Sequence, residues 1–245
     1  MGEWVPSTCL VIGASGGIGE AFVELLLDRD EVETVIAFSR SSNLSLESDK
    51  LVCGHLDFDA PASIEAAAQM VSRHGPVDLV IVATGLLHEE SGLQPEKSLR
   101  DLDAARLAQS YATNAIGPIL LAKAFLPLLR RDKKSVFAVL SARVGSISDN
   151  RIGGWYGYRA AKAGLNQLIR TASIEHARRW PQSVIIGLHP GTVNTQLSRP
   201  FQRNVPQGGL FSPSQAALQM MSVIDEASCE DSGKVLAYDG SQVPA

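Results

Sequence analysis

Two hydrophobic rhythms alternate along the chain. Short runs that are apolar at consecutive positions predict strands over 8–12, 34–38, 50–56, 77–83, 135–140, 183–188 and 234–238. Between them lie stretches with apolar residues every third or fourth position, which predict helices over 18–27, 60–72, 158–178 and 214–225. Residues 102–129 carry the same helical period with Gly117-Pro118 inside it, a pair that should bend, split or kink the segment. Strands apolar on both faces and separated by helices describe a mostly parallel sheet covered on both sides. No repeat, linker or low-complexity tract divides the pattern. The expectation is one α/β domain over 1–245, a doubly wound seven-stranded sheet of the Rossmann type with helices on both faces. Residues 194–212 fit neither rhythm and hold Pro200, Pro206, Gly208 and Gly209. Such a segment in a compact domain reads as a substrate-binding loop, with plain disorder as the alternative.

Composition narrows the function classes. With 245 residues, 45% hydrophobic and 20% charged, the chain is long enough to bury a large core and too apolar to be disordered. A net charge of −4 gives no electrostatic attraction to nucleic acid or an anionic membrane. No apolar run approaches bilayer length and no secretory leader is written at the N-terminus, so a soluble, cytoplasmic protein is expected. Met1-Gly2 resembles a myristoylation start, but Pro6 stands where Ser or Thr is wanted. Cys9, Cys53 and Cys229 are far apart and form no metal-ligand spacing, so reduced thiols and no metal are expected.

Gly13-Ala14-Ser15-Gly16-Gly17-Ile18-Gly19 follows the first strand and opens the first helix. Glycines there permit a tight turn and close approach of backbone to a pyrophosphate, and the helix start offers unpaired N–H groups to an anion. The spacing is G-x-x-x-G-x-G rather than G-x-G-x-x-G, and its place between strand and helix gives it weight. The second strand ends Ala37-Phe38-Ser39-Arg40, without the carboxylate that would hold the ribose hydroxyls of NAD. Arg40 and Ser39 suit a 2′-phosphate instead, so NADP(H) is expected over NAD(H).

Tyr158 and Lys162 are four apart, on one face of a helix. A phenol with a pKa of about 10 is a weak acid at neutral pH, and a neighbouring ammonium favours the phenolate. Such a tyrosine could protonate an alkoxide as hydride reaches a carbonyl carbon.

Taken in order, Gly13…Gly17-Ile18-Gly19, Asp57, Asn114 in Thr113-Asn114-Ala115, Tyr158…Lys162 and Pro190-Gly191-Thr192-Val193-Asn194-Thr195 resemble the short-chain dehydrogenase/reductase family over essentially the whole chain. Gly145-Ser146-Ile147 and Gly153-Gly154-Trp155-Tyr156-Gly157-Tyr158-Arg159 look like its C-factor-like carbonyl reductase branch. The resemblance implies Tyr158 as general acid/base, and Lys162 as the group that lowers its pKa and binds the nicotinamide ribose. It implies that Asn114 holds a water linking Lys162 to solvent. Asp57 and Phe58 would meet the adenine, Ala83, Thr84 and Gly85 would line the dinucleotide, and Pro190, Gly191, Thr192, Val193 and Thr195 would hold its nicotinamide and pyrophosphate end. Family members are commonly dimers or tetramers built on the helices of 102–129 and 158–178.

Three positions depart from the family pattern. Ile12 replaces a structural threonine, and Val82-Ala83-Thr84-Gly85 replaces Asn-Asn-Ala-Gly. At the position of the catalytic serine stands Ala142. Its neighbour Ser141 is the candidate substitute, although strand alternation turns it to the opposite face unless a bulge re-aims it. Ser146 and Ser148 are rival donors. His88 and His189 fall at the carboxyl edge of the sheet as wall residues. Trp155 and Tyr156 are candidate pocket lining, and Met220-Met221 are core or subunit contact. The expected activity is NADPH-dependent reduction of a moderately apolar carbonyl compound or its reverse, in a homodimer or homotetramer. The rival reading is an NADPH-binding signalling or redox-sensing protein with little turnover.

Overall fold

The computed structural model describes residues 4–41, 44–89 and 92–245, so Met1-Gly2 and residues 90–91 of the segment after the fourth strand lie outside the described residues. In chain order the elements are β1 (Thr8–Ile12), α1 (Gly17–Leu27), β2 (Thr34–Ser39), β3 (Leu51–His55), α2 (Pro61–Ser72) and β4 (Leu79–Val82). They continue with α3 (Ala104–Tyr111), α4 (Gly117–Phe125), β5 (Ser135–Leu140), α5 (Tyr156–Ala177) and β6 (Ser183–His189). Last come β7 (Thr192–Val193), β8 (Leu210–Phe211), α6 (Pro213–Glu226) and β9 (Val235–Ala237).

Seven strands form one parallel sheet in the order β3-β2-β1-β4-β5-β6-β9. Alternate strand residues feed two separate cores. Val11, Ala37, Ile81, Ala138 and Ile186 face α1 and α6, where Phe22, Leu26 and Met220 pack on them. Leu10, Ile36, Val80, Phe137 and Ile185 face α2, α4 and α5, against Val71, Phe125 and Leu165. Both faces are covered, which is why the strands read as unbroken apolar runs. Burying each valine, leucine, isoleucine, phenylalanine or methionine among them contributes about 1.5–3 kcal/mol. Met220 and Met221 are fully buried core residues.

The chain reverses its winding direction between β1 and β4, so the carboxyl ends of these strands open a crevice of the kind that binds ligands. The 102–129 segment splits at the predicted place. Pro118 has no N–H and its ring crowds the carbonyl of Asn114, four residues earlier. The backbone responds by widening to a π-helix over Ala112–Ile116, closed by the Gly117 N–H donating to the Ala112 carbonyl. Within 194–212 the structure has a 3₁₀ turn over Arg199–Asn204 and a parallel pairing of β7 with β8. No helix among the described residues is long and apolar enough to cross a membrane. The three cysteines are unpaired, and no group of metal-ligating side chains occurs among the described residues.

Candidate active site

A cleft of about 510 Å³ runs along the carboxyl edge of the sheet from the α1 turn to α5. Its near end is the glycine turn. Gly13 has φ +86°, and a Cβ there would stand 2.9 Å from the Ala83 carbonyl at the end of β4. A side chain would therefore push the turn off the switch point. Gly19, buried in α1, would bring a Cβ within 2.1 Å of the Gly13 carbonyl oxygen, so it serves packing and does not line the cleft. Ser15, Gly16, Gly17 and Ile18 do line it. Gly16 caps α1 without a side chain, leaving the first-turn N–H groups facing open space.

Ser39 and Arg40 line the next stretch. Arg40 is exposed, and its carbonyl is within 2.9 Å of His55 Nδ1. Asp57 and Phe58 form the opposite lip. Asp57 accepts from the Asp59 N–H at 3.1 Å, a turn that leads into α2. Phe58 packs on Gly117, where any Cβ would collide with the ring at 2.6 Å. Ala83, Thr84 and Gly85 lie along the floor. Thr84 Oγ1 is buried there without a hydrogen-bond partner. An orphaned hydroxyl in a glycine-walled cleft with a basic rim fits a nucleotide bearing an extra phosphate, so the residues present suit NADP(H).

Pro190 and Thr195 close the far wall, whereas Gly191 and Val193 lie behind it. Gly191 has φ +72°, and a Cβ there would meet the Phe211 ring at 2.8 Å, so its part is to turn the chain between β6 and β7. Gln196 and Leu197, from the segment expected to bind substrate, line this wall with Leu86, and Thr113 is a lining residue that sequence reasoning missed. Thr113 lies on the π-helix, and only the fold brings it to the cleft.

Tyr158 and Lys162 stand on the first two turns of α5, with the Lys162 ammonium 5.7 Å from the centre of the Tyr158 ring. Lys162 is buried and donates to the Leu140 carbonyl at 2.8 Å. The electrostatics differ from the expectation that the lysine would dominate. Burial pushes the Tyr158 phenol up to about 12, and burial also lowers Lys162 to about 7. Desolvation disfavours both charges and outweighs their mutual help.

Four of the sequence-derived candidates have side chains engaged in hydrogen bonds of their own. Ser141 borders the cleft, but its hydroxyl proton is committed to Asn166 Oδ1 at 2.5 Å, on the α5 side. Strand alternation continues through Ser141, and no bulge re-aims it. Ser146 and Ser148 do not line the cleft, and both hydroxyls donate to an oxygen of Ala245. Asn114 is fully buried outside the cleft lining. Its Oδ1 accepts from the Leu86 N–H at 2.9 Å, while Nδ2 donates to the Leu86 carbonyl at 2.7 Å and the Ser110 carbonyl at 3.0 Å. Its side chain thus braces the loop after β4.

The aromatic residues gather beyond Tyr158. Trp155 meets the Tyr158 ring edge-on at 6.3 Å and the Phe201 ring at 4.9 Å. His88 lies edge-on to Phe201 at 5.8 Å, with Nε2 against the Gln196 carbonyl at 2.9 Å. His88 is thus a wall residue. Tyr156 is 37% exposed and does not line the cleft. His189 is mostly buried, with Nδ1 unpartnered, and burial with the nearby Arg143 charge lowers its pKa to about 4.

The pattern of the short chain dehydrogenase family matches residues 7–206. C-signal of Myxococcus xanthus is 36% identical over 170 residues, covering 69% of this chain and 93% of that protein. The 1-hydroxy-2-glutathionyl-2-methyl-3-butene dehydrogenase of Rhodococcus sp. (strain AD45) is 30% identical over 237 residues, 96% of this chain and 98% of its own. Among solved structures, the NADPH-bound carbonyl reductase from chicken fatty liver superposes with a TM-score of 0.85 at 27% identity, over 100% of this chain and 96% of that one. On the family match and these two relatives, the chain belongs to the short-chain dehydrogenase family.

Proposed function

We propose that the protein is an NADPH-dependent carbonyl reductase in which Tyr158 is the proton donor. The observation that carries this reading is the placement of Tyr158 and Lys162 at one end of a cleft whose other end is the glycine turn. Gly13, Ser15, Gly16, Gly17 and Ile18 would hold the pyrophosphate at the start of α1, with Arg40 and Ser39 on the 2′-phosphate. Asp57 and Phe58 would flank the adenine, and Thr84 would give its free hydroxyl to the ribose. Pro190 and Thr195 would seat the nicotinamide, with Lys162 on its ribose. Bound there, NADPH supplies the hydride.

The residues of the chain control the proton. With its phenol pushed up to about 12, Tyr158 is fully protonated at neutral pH. It therefore stands ready to donate to a carbonyl oxygen as the new C–H bond forms, and the phenolate left behind is stabilised by Lys162 when that amine is protonated. Burial keeps the phenol in the protonated form that reduction uses but also makes it a weaker acid, which the Lys162 charge would offset. At Ala142 there is a methyl group where a second hydroxyl donor would stand, and such a donor is typically worth about 10²–10³ in rate. Tyr158 then bears most of the polarisation. The 194–212 segment contributes Thr195, Gln196 and Leu197 to the wall and Phe201 to the aromatic cluster, which suits a loop that selects a moderately apolar small molecule.

Exposed Ile116 and Leu120 on the π-helix and α4, with Ile174 on α5, support assembly of like chains through these helices. A cytoplasmic address completes the reading. The test is NADPH oxidation over a panel of aldehydes, ketones and quinones, with Tyr158→Phe alongside. Wild-type turnover that vanishes in the variant, with NADPH affinity within about twofold, is the expected result; undiminished turnover in Tyr158→Phe would overturn the assignment. A second reading, an NADPH-binding regulator with little turnover, is favoured by Ala142 and by the committed hydroxyl of Ser141. It predicts NADPH binding with no reduction anywhere in the panel.

A further inference from the structure

The helix bearing Tyr158 and Lys162 starts in an unusual way. Gly153, Gly154 and Trp155 all have positive φ, at +71°, +66° and +53°. Trp155 is the only non-glycine residue among those described to do so, a conformation that costs of order 1–3 kcal/mol unless neighbours impose it. Trp155 is also the N-cap of α5, and its side chain caps nothing. No acidic side chain lies in the first turn to complement the helix dipole.

A carboxylate arrives from elsewhere. Glu96, in the connection between β4 and α3, is only 5% exposed. Its carbonyl accepts from the Trp155 N–H at 2.5 Å, and its Oε2 accepts from the Gly157 N–H at 3.1 Å. The fit is close, since a Cβ on Gly157 would stand 2.9 Å from Glu96 Oε1 and 3.1 Å from Leu107. No basic side chain forms an ion pair with Glu96 among the described residues, and its carboxyl group faces the N-terminal end of α5.

We propose that Glu96 is a positioning residue for proton transfer: it caps α5 from a distant loop, fixes Trp155 in its left-handed conformation, and so sets where the Tyr158 phenol stands. The proposal rests on the reading of Tyr158 as proton donor. Tyr158 follows Gly157 directly, so a fraying first turn moves the phenol itself. A misplacement of about 1 Å at a reacting group can cost about 100-fold in rate.

The experiment compares Glu96→Ala, Glu96→Gln and Gly157→Ala with wild type and Tyr158→Phe, reading kcat, KM for the carbonyl and the dissociation constant of NADPH. Glu96→Ala is expected to lower kcat at least about 10-fold while NADPH affinity, set largely at the far end of the cleft, stays within about twofold. Glu96→Gln keeps an acceptor oxygen and should recover most of the lost kcat. Gly157→Ala leaves Glu96 in the chain but displaces its carboxylate, and should reproduce the loss; it decides the matter if Glu96→Ala fails to fold. Wild-type kcat in Gly157→Ala and in every folded Glu96 variant would overturn the proposal while leaving the Tyr158 assignment intact. Turnover in Tyr158→Phe would instead overturn the reading beneath it.

Discussion

Asn114 offers the sharpest test of how the site is held together. Its amide links three backbone groups across two segments: the N–H and carbonyl of Leu86, in the cleft wall, and the carbonyl of Ser110, one turn back. Replacing it with alanine removes three hydrogen bonds from a fully buried position. At about 1 kcal/mol net for each, the loss is about 3 kcal/mol. For 245 residues at about 2.1 cal/mol/K each, the unfolding entropy is about 0.5 kcal/mol/K, so Tm should fall by about 6 °C. Asn114→Asp should be worse at neutral pH. Its carboxylate can still accept from the Leu86 N–H, but a second oxygen then faces two carbonyl oxygens with no proton between them. Urea unfolding of the apo chains at neutral pH measures both. A loss below about 1 kcal/mol for Asn114→Ala, or an aspartate variant more stable than the alanine variant, would refute the bracing role.

Two further outcomes follow from the geometry. Arg40→Asp removes the guanidinium at the cleft rim and places a carboxylate there, so the NADPH-to-NADH preference in KM should fall by about 10–100-fold, the worth of a charge-assisted contact; an unchanged ratio would mean that another residue reads the phosphate. His189 is held neutral in the fold to about pH 4, whereas in the unfolded chain it takes up a proton below its ordinary value of 6.5. Its contribution to stability is therefore full above pH 6.5 and lost as the pH falls toward 4, by at most about 3 kcal/mol. The wild type should lose up to about 3 kcal/mol relative to His189→Gln as the pH falls across that window, and parallel curves would refute the linkage.

Much of the fold was readable because its two rhythms are physically distinct. β5 covers the predicted range because five consecutive apolar residues fill both faces, and its buried first residue, Ser135, satisfies its hydroxyl on the Arg130 carbonyl. The π-helix was legible only as a disturbance at Gly117-Pro118: a proline announces that the α-helical ladder fails, and the packing around it decides how the backbone recovers. β7 and β8 have two residues each, too few to show any period. In the site, the glycine turn and the Tyr158/Lys162 spacing are local signals and could be read. The pKa values of that pair could not, because burial is a property of the whole fold. Glu96 gave no signal at all. A lone glutamate in an irregular segment acquires meaning only when Gly157, 61 positions later, comes into hydrogen-bond range.

Ser141 carries a different lesson. Period-two alternation places its side chain on the α5 face, and the structure keeps it there, bonded to Asn166. Naming it as a substitute for the serine absent at Ala142 therefore set sequence adjacency against strand geometry, and strand geometry won.

The central claim is hydride transfer from nicotinamide to a carbonyl carbon with the proton supplied by Tyr158. It is tested most directly by following the hydrogen itself. Reduction of a carbonyl substrate from the panel would be run with NADPH deuterated on one or the other face of the nicotinamide, and the alcohol analysed by mass spectrometry. The expected result is one deuterium at the carbinol carbon from one of the two cofactors, none from the other, and no labelled product from Tyr158→Phe. NADPH that binds tightly and is never consumed, or product whose new carbon-bound hydrogen comes from solvent, would contradict it.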